Sequence, residues 1–187
     1  MESVLLQAAA DLLEREGPDA LSIRRIAAAA GVAPMGVYNH FASKSGIIEA
    51  LFVQGFERLG DAMVSLNEIP DPREALMEGG RRYRALALEH PMAYRLMFLR
   101  AVPGFEPSAT ALVAAEGAFD GLVVAVKRAM AAGIIEPGDP PLTAHVIWSG
   151  IHGWVSLELG GMGFIEDQGA GADLLCTVTL AGLAPRR

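Results

Sequence analysis

The chain has 187 residues, 52% of them hydrophobic, which is enough to bury a substantial core and argues against disorder. A net charge of −7 argues against indiscriminate binding to nucleic acid, and the single thiol, Cys176, cannot close a disulfide within the chain, as suits a reducing cytoplasm. Residues 1–11 lack the basic stretch that opens a secretory leader.

Strand signals are poor, because no segment alternates apolar and polar residues for long. Helical signals recur. Residues 3–16 are rich in Leu and Ala, and Gly17-Pro18 stops them. Ser22 is placed to cap a short helix over residues 23–30, with Gly31 just past its end. Ala33-Pro34 opens a second short helix, since the fixed φ of proline suits the first helical position. Ser43 is placed to cap a long helix over residues 44–66. Pro70 and Pro72 precede a helix over residues 73–89, and His90-Pro91 separates it from one over residues 92–101. Residues 102–107, with two prolines and a glycine, predict a loop. Between residues 108 and 132, Leu112, Ala115, Phe119, Leu122, Val126 and Met130 recur at spacings of three and four, which predicts one buried helix face. Residues 136–141 predict a turn. Two last helices, over residues 142–159 and 172–183, are joined by the glycine-rich segment 160–171. The expectation is an all-α fold of about nine helices.

The most membrane-like segment, residues 140–157, has no formally charged residue. It holds His145, Ser149, His152, Ser156 and two glycines, where a span needs ~20 predominantly apolar residues. It predicts a buried or interfacial helix and no membrane partner. The two histidines stand two helical turns apart, ~10 Å along the axis, too far to share a metal ion unaided. The readings of this polar stripe that stay open are a ligand pocket or a pH- or metal-responsive site, and hydrogen-bonded residues at a packed seam. No metal or cofactor is expected.

The informative stretch runs from Ser22 to Leu51. Ile23, Ile26 and Ala27 share one face of the first short helix, and Val37 and Phe41 share one face of the second. The two faces can pack across a tight turn containing a glycine, which is the helix-turn-helix plan. Pro34, Met35 and Gly36 then form the leading end of the second helix, and Tyr38, Asn39 and His40 follow on it as hydrogen-bonding groups. No Asp or Glu lies between Ala20 and Ile48, whereas Arg24, Arg25, His40 and Lys44 do, so a basic island sits on an acidic chain.

These residues resemble the TetR family of transcriptional regulators. Its pattern T-x-R-x-I-A-x-x-A-G-V, then Y-x-H-F and S-K, is matched by Ser22-Ile23-Arg24-Arg25-Ile26-Ala27, Ala30-Gly31-Val32, Tyr38-Asn39-His40-Phe41 and Ser43-Lys44. Ala33 stands where a capping Ser or Thr is common, and Ser45 where an acidic residue is common. The resemblance implies a three-helix DNA-binding domain over residues 1–50 and a helical effector and dimerisation domain over residues 51–187. It implies that Tyr38, His40 and Lys44 touch phosphates and that Met35, Gly36 and Asn39 face bases. Ser22, Arg24, Arg25 and Pro34 complete the expected DNA-binding set.

The later part is similar to a TetR subgroup named for a Trp-His-Gly motif, on His90-Pro91, Tyr94-Arg95-Leu96-Met97-Phe98 and Ile151-His152-Gly153. Ile151 replaces the tryptophan, with Trp148 and Trp154 nearby. The resemblance implies a homodimer joined by the last two helices, with Gly150, Gly153, Trp154, Leu174 and Val178 at the seam. It also implies a largely apolar small-molecule effector, for which Tyr83, Tyr94, Phe98, Phe119, His145, Trp148 and His152 are the candidate lining. The expected activity is that of a cytoplasmic, ligand-responsive repressor on a palindromic duplex. Its rivals are an interaction module that has lost operator binding and a helical-bundle enzyme. The enzyme lacks support, since no G-x-S-x-G, G-x-x-x-x-G-K or Cys/His zinc spacing occurs and no His has a Glu three residues before it.

Overall fold

A computed structural model describes residues 1–186, and capping chemistry explains where most of its helices begin and end. Among the described residues there are nine α-helices and no β-strand. They are α1 (Glu2–Glu16), α2 (Ile23–Ala30), α3 (Pro34–Tyr38), α4 (Lys44–Val64), α5 (Pro72–Glu89), α6 (Pro91–Phe98), α7 (Ala109–Ala131), α8 (Pro140–Leu159) and α9 (Gln168–Gly182). Short 3₁₀ turns cover Pro18–Ala20 and Ser65–Glu68.

Four expectations about these elements need correction. The sixth helix stops at Phe98, short of residue 101, because Arg100 adopts a left-handed φ of 49° and the Ala101 N–H reaches back to the Arg95 carbonyl at 3.4 Å. The eighth begins inside the expected turn. Asp139 accepts from the Leu142 N–H at 3.2 Å, which places Pro140 and Pro141 in the first turn, where a missing N–H costs nothing. The ninth begins at Gln168, within the glycine-rich segment, because Asp167 accepts from the Ala170 N–H at 2.8 Å. The buried face of α7 is also offset. Ala111, Ala118, Ala125, Val126 and Ala129 are buried, whereas Leu112 is exposed. Small residues occupy the centre of the face, and Phe119, Leu122 and Met130 flank it.

The chain forms two compact units. The first comprises Met1–Glu57 and His90–Ala115, the second Arg58–Glu89 and the residues from Glu116 onward. In the first, α1 packs on α2 and α6, and α2 packs on α3. Leu5, Leu13, Leu21, Ile26 and Val37 are fully buried there. The Glu14 carboxylate accepts from the Met92 and Ala93 N–H groups at 3.0 and 2.8 Å, so α1 supplies the cap that His90 does not give α6. Residues 90–115 therefore share a unit with the N-terminal helices, whereas the expected functional boundary falls after residue 50.

In the second unit α5, α8 and α9 pack pairwise. Leu76, Val126, Ala129, Ile135, Ala144 and Leu180 belong to its buried cluster. Arginines fasten the elements together. Arg81 meets Asp173 of α9 at 3.0 Å, Arg84 donates to Glu158 of α8 at 2.8 Å, and Arg128 donates to the Leu66 and Ile69 carbonyls at 3.1 and 2.7 Å. At the α5–α9 contact a Cβ on Gly80 would lie 2.7 Å from the Cys176 Sγ, so a side chain there would have to displace the thiol. α7 is long and apolar enough by composition to cross a membrane, but Val126 and Ala129 on it are fully buried in the second unit.

Candidate nucleic-acid interface

The site is built from two short helices and the turn between them. Ser22, in extended backbone, accepts from the Arg25 N–H at 3.3 Å and so starts α2. Gly31 ends it at φ 69°, a left-handed conformation that glycine adopts without steric cost. The Val32 N–H then reaches the Ala27 carbonyl at 2.9 Å, which closes the turn. Ala33 follows in extended backbone and offers α3 no side-chain cap, as the sequence implies, and Pro34 takes the first helical position.

α3 is one residue longer than a single turn and ends at Tyr38, so Asn39 and His40 lie beyond it rather than on it as expected. Helical hydrogen bonding nevertheless continues. The Asn39 N–H bonds the Met35 carbonyl at 3.0 Å, and the Phe41 N–H bonds the Val37 carbonyl at 2.8 Å. Val37 is fully buried and Phe41 nearly so, and together they seat the segment. At about 100° per residue, Met35 and Asn39 fall within about 20° of the direction opposite Val37, and Tyr38 stands to one side. Met35 is 67% exposed and Tyr38 52%, and Asn39 and His40 are exposed beside them. Gly36 is half-buried. Lys44 is exposed at the first position of α4, where the Ser43 hydroxyl accepts from the Gly46 N–H at 3.2 Å.

The electrostatics differ from a bare basic island. The Arg25 guanidinium meets the Glu16 carboxylate of α1 at 2.7 Å, a pair that holds the carboxyl below its ordinary value through that hydrogen bond. The His40 Nδ1 lies 3.9 Å from Glu2. Acidic residues that precede the island in sequence therefore stand beside it in space. Arg24 is exposed.

Of the seven residues expected to line an effector pocket, five come together in the second unit. The Tyr83 hydroxyl and the His152 Nδ1 are hydrogen-bonded at 2.8 Å. The ring centroids of His145 and Trp148 are 5.4 Å apart, those of Trp148 and His152 5.5 Å, and those of Phe119 and Trp148 6.1 Å. Burial holds the His152 imidazole below its ordinary pKa. Tyr94 and Phe98 belong instead to an aromatic cluster of the first unit, where Phe98 meets Phe56 with centroids 5.2 Å apart.

The residues expected at a dimer seam also divide. Gly153 has nothing near the position a Cβ would take, and Leu174 and Val178 are exposed. Gly150 instead faces Leu175 of α9 in the same chain, and the Trp154 indole lies over Gly171, whose Cβ would meet it at 2.4 Å. Its Nε1 is buried with no hydrogen-bond partner among the described residues. Sequence reasoning missed Leu142, Val146 and Leu157, which are exposed on α8 in line with Gly153. Their spacings of four, seven and four were a signal that could have found them. It also missed Glu14 and Glu16, whose roles are long-range and leave no local pattern.

A family model described as "Bacterial regulatory proteins, tetR family" matches residues 5–51, and one described as "Tetracyclin repressor-like, C-terminal domain" matches residues 76–180. The chain is 26% identical over 161 residues to the HTH-type transcriptional regulator Rv0681 of Mycobacterium tuberculosis, covering 84% of this chain and 70% of that protein. A solved structure from Rhodococcus sp. RHA1, of a protein described as having unknown function, superposes with a TM-score of 0.87 at 30% identity, over 98% of this chain and 95% of the other. The transcriptional regulator FadR from Bacillus subtilis, solved in complex with stearoyl-CoA, gives a TM-score of 0.79 at 18% identity over 97% and 99% of the two chains, a likeness of fold.

Proposed function

The chain belongs to the tetR family of bacterial regulatory proteins, which are DNA-binding transcriptional regulators, and on that premise we propose that it is a ligand-responsive repressor that grips a palindromic operator as a homodimer. The observation that carries this reading is the seating of α3: Val37 and Phe41 are buried while Met35, Tyr38 and Asn39 are left exposed around them. Residues 1–50 supply the DNA-binding domain. Met35, Gly36 and Asn39 face bases, with Pro34 beside them at the leading end of α3, whereas Tyr38, His40, Lys44, Arg24 and Ser22 hold the head against the phosphate backbone. Arg25, paired with Glu16, serves first to fasten α2 to α1.

Residues 51–187 supply effector binding and dimerisation. The dimer seam is the exposed apolar stripe of α8 and α9 that carries Leu142, Val146, Gly153, Leu157, Leu174 and Val178. The effector is a largely apolar small molecule that meets Tyr83, Phe119, His145, Trp148 and His152. A regulator of this fold from Bacillus subtilis was solved with stearoyl-CoA, whose acyl chain is apolar though its coenzyme A group is polar and charged. The effector acts only through its differential affinity for the DNA-competent and DNA-incompetent dimers. The protein works in the cytoplasm, no catalytic step is assigned to it, and the Trp-His-Gly likeness is part of the same proposal.

The test is selection of duplexes from a randomised library by the full-length chain. The expected product is an inverted repeat whose half-sites are about one helical turn or a multiple apart, bound less tightly as salt rises. Absence of any enriched sequence overturns the reading in favour of an interaction module.

A further inference from the structure

The leading end of the reading head has an unusual composition. Ala33, Pro34, Met35 and Gly36 are four consecutive residues whose side chains carry no hydrogen-bond donor. The Gly36 N–H is already bonded to the Ala33 carbonyl at 2.8 Å, and Pro34 has none. The side chain this end offers a ligand is that of Met35, 67% exposed and directed away from the buried Val37. Gly36 beside it adds no bulk. The thioether is a weak acceptor at most, so it gains little from the donors and acceptors along base edges.

One feature of the major groove is apolar, the C5 methyl group of thymine. We infer that Met35 selects for a C5-methylated pyrimidine in each half-site by packing its side chain on that methyl group, an inference that rests on α3 entering the major groove. Because no hydrogen-bonding side chain accompanies it at this end, the methyl group is recognised apart from the Watson–Crick identity of its base. This separates the effect of Met35 from that of Asn39, which shares its face and can form the paired hydrogen bonds that recognise adenine.

The experiment uses the full-length chain and the inverted repeat enriched from the randomised library. Each thymine of the half-site is replaced in turn by deoxyuridine, which keeps the base pair and removes the methyl group. The position that responds is then rebuilt as 5-methylcytosine·guanine and as cytosine·guanine. Burial of one methyl group sets the scale: affinity should fall about fourfold for deoxyuridine in one half-site and about fifteenfold in both. Thymine and 5-methylcytosine should bind alike, and deoxyuridine and cytosine should be equally weakened. Met35→Ala should bind all four duplexes equally, and Met35→Leu should keep the discrimination. Met35 is exposed, so both variants are expected to fold, which helicity checks. The inference is overturned if no thymine-to-deoxyuridine change weakens the wild type, or if Met35→Ala still distinguishes the methylated duplexes. It is also overturned if 5-methylcytosine fails to replace thymine. Failure to enrich any duplex overturns both this and the reading on which it rests, whereas tight binding without methyl discrimination overturns this alone.

Discussion

Tyr38 and Asn39 are neighbours in sequence to which the proposed function gives different work. Tyr38→Phe removes only a hydroxyl from a half-exposed ring, so affinity should fall alike for all sequences by the ~1.5–3 kcal/mol of a hydrogen bond to a charged group. Asn39→Ala should instead change which bases are enriched, and a library selection with both variants distinguishes the two patterns. A second residue-scale effect concerns His152. Its folded pKa is held below the ordinary 6.5 by burial, so the unfolded chain binds more protons in the interval between the two values. Stability therefore rises with pH across that interval and is lost as pH falls below about 6.5. His152→Gln should flatten this part of a denaturation profile, and a wild-type profile level through that interval would contradict it. At this scale the sequence showed which residues were candidates, since Ser22, Gly31 and Pro34 each impose a local geometry that the structure displays. It did not show that Arg25 is held by Glu16, because the two are brought together by the packing of α1 on α2.

Among the elements, α3 is the least reinforced from within. It has five residues and no side-chain cap, so tertiary burial of Val37 and Phe41 holds it in place of local propensity. Ala33 already has the extended backbone of a capping residue, so the hydroxyl oxygen of Ala33→Ser can accept from a first-turn N–H without rearrangement. The substitution should raise the stability of the chain by ~1 kcal/mol, seen as a higher denaturant midpoint with an unchanged slope. An unchanged midpoint would show that α3 is already fully fixed by its packing. The missing cap was legible in the sequence, whereas the first turn of α9 was not. Gly169 and Gly171 weaken the helical pattern there, and Asp167 offsets that by capping. The buried face of α7 was misread for a related reason. Periodicity weights large apolar residues, but close helix contact at its centre selects Ala and Gly.

For the whole molecule the proposed homodimer rests on the apolar stripe of α8 and α9. Leu142 and Leu174 are each more than 60% exposed, and a Cβ on Gly153 would meet open space. Gly153→Glu should put a charge into that seam and yield monomers that keep their helicity, as sedimentation would show. The all-helical class was legible because capping residues and prolines punctuate the chain. The assignment of residues 90–115 to the same unit as α1 was not, because it depends on Glu14 capping a helix 78 residues later in the chain. The claim that joins these scales is that two chains present two copies of α3 to one duplex at a fixed separation. It is tested most directly by titrating the enriched inverted repeat, and a copy whose half-sites are moved apart by about five base pairs, half a helical turn. The account predicts two chains on the first duplex and near non-specific affinity for the second, since the two heads then face opposite sides of the DNA. One chain per duplex, bound equally tightly at either spacing, would contradict it.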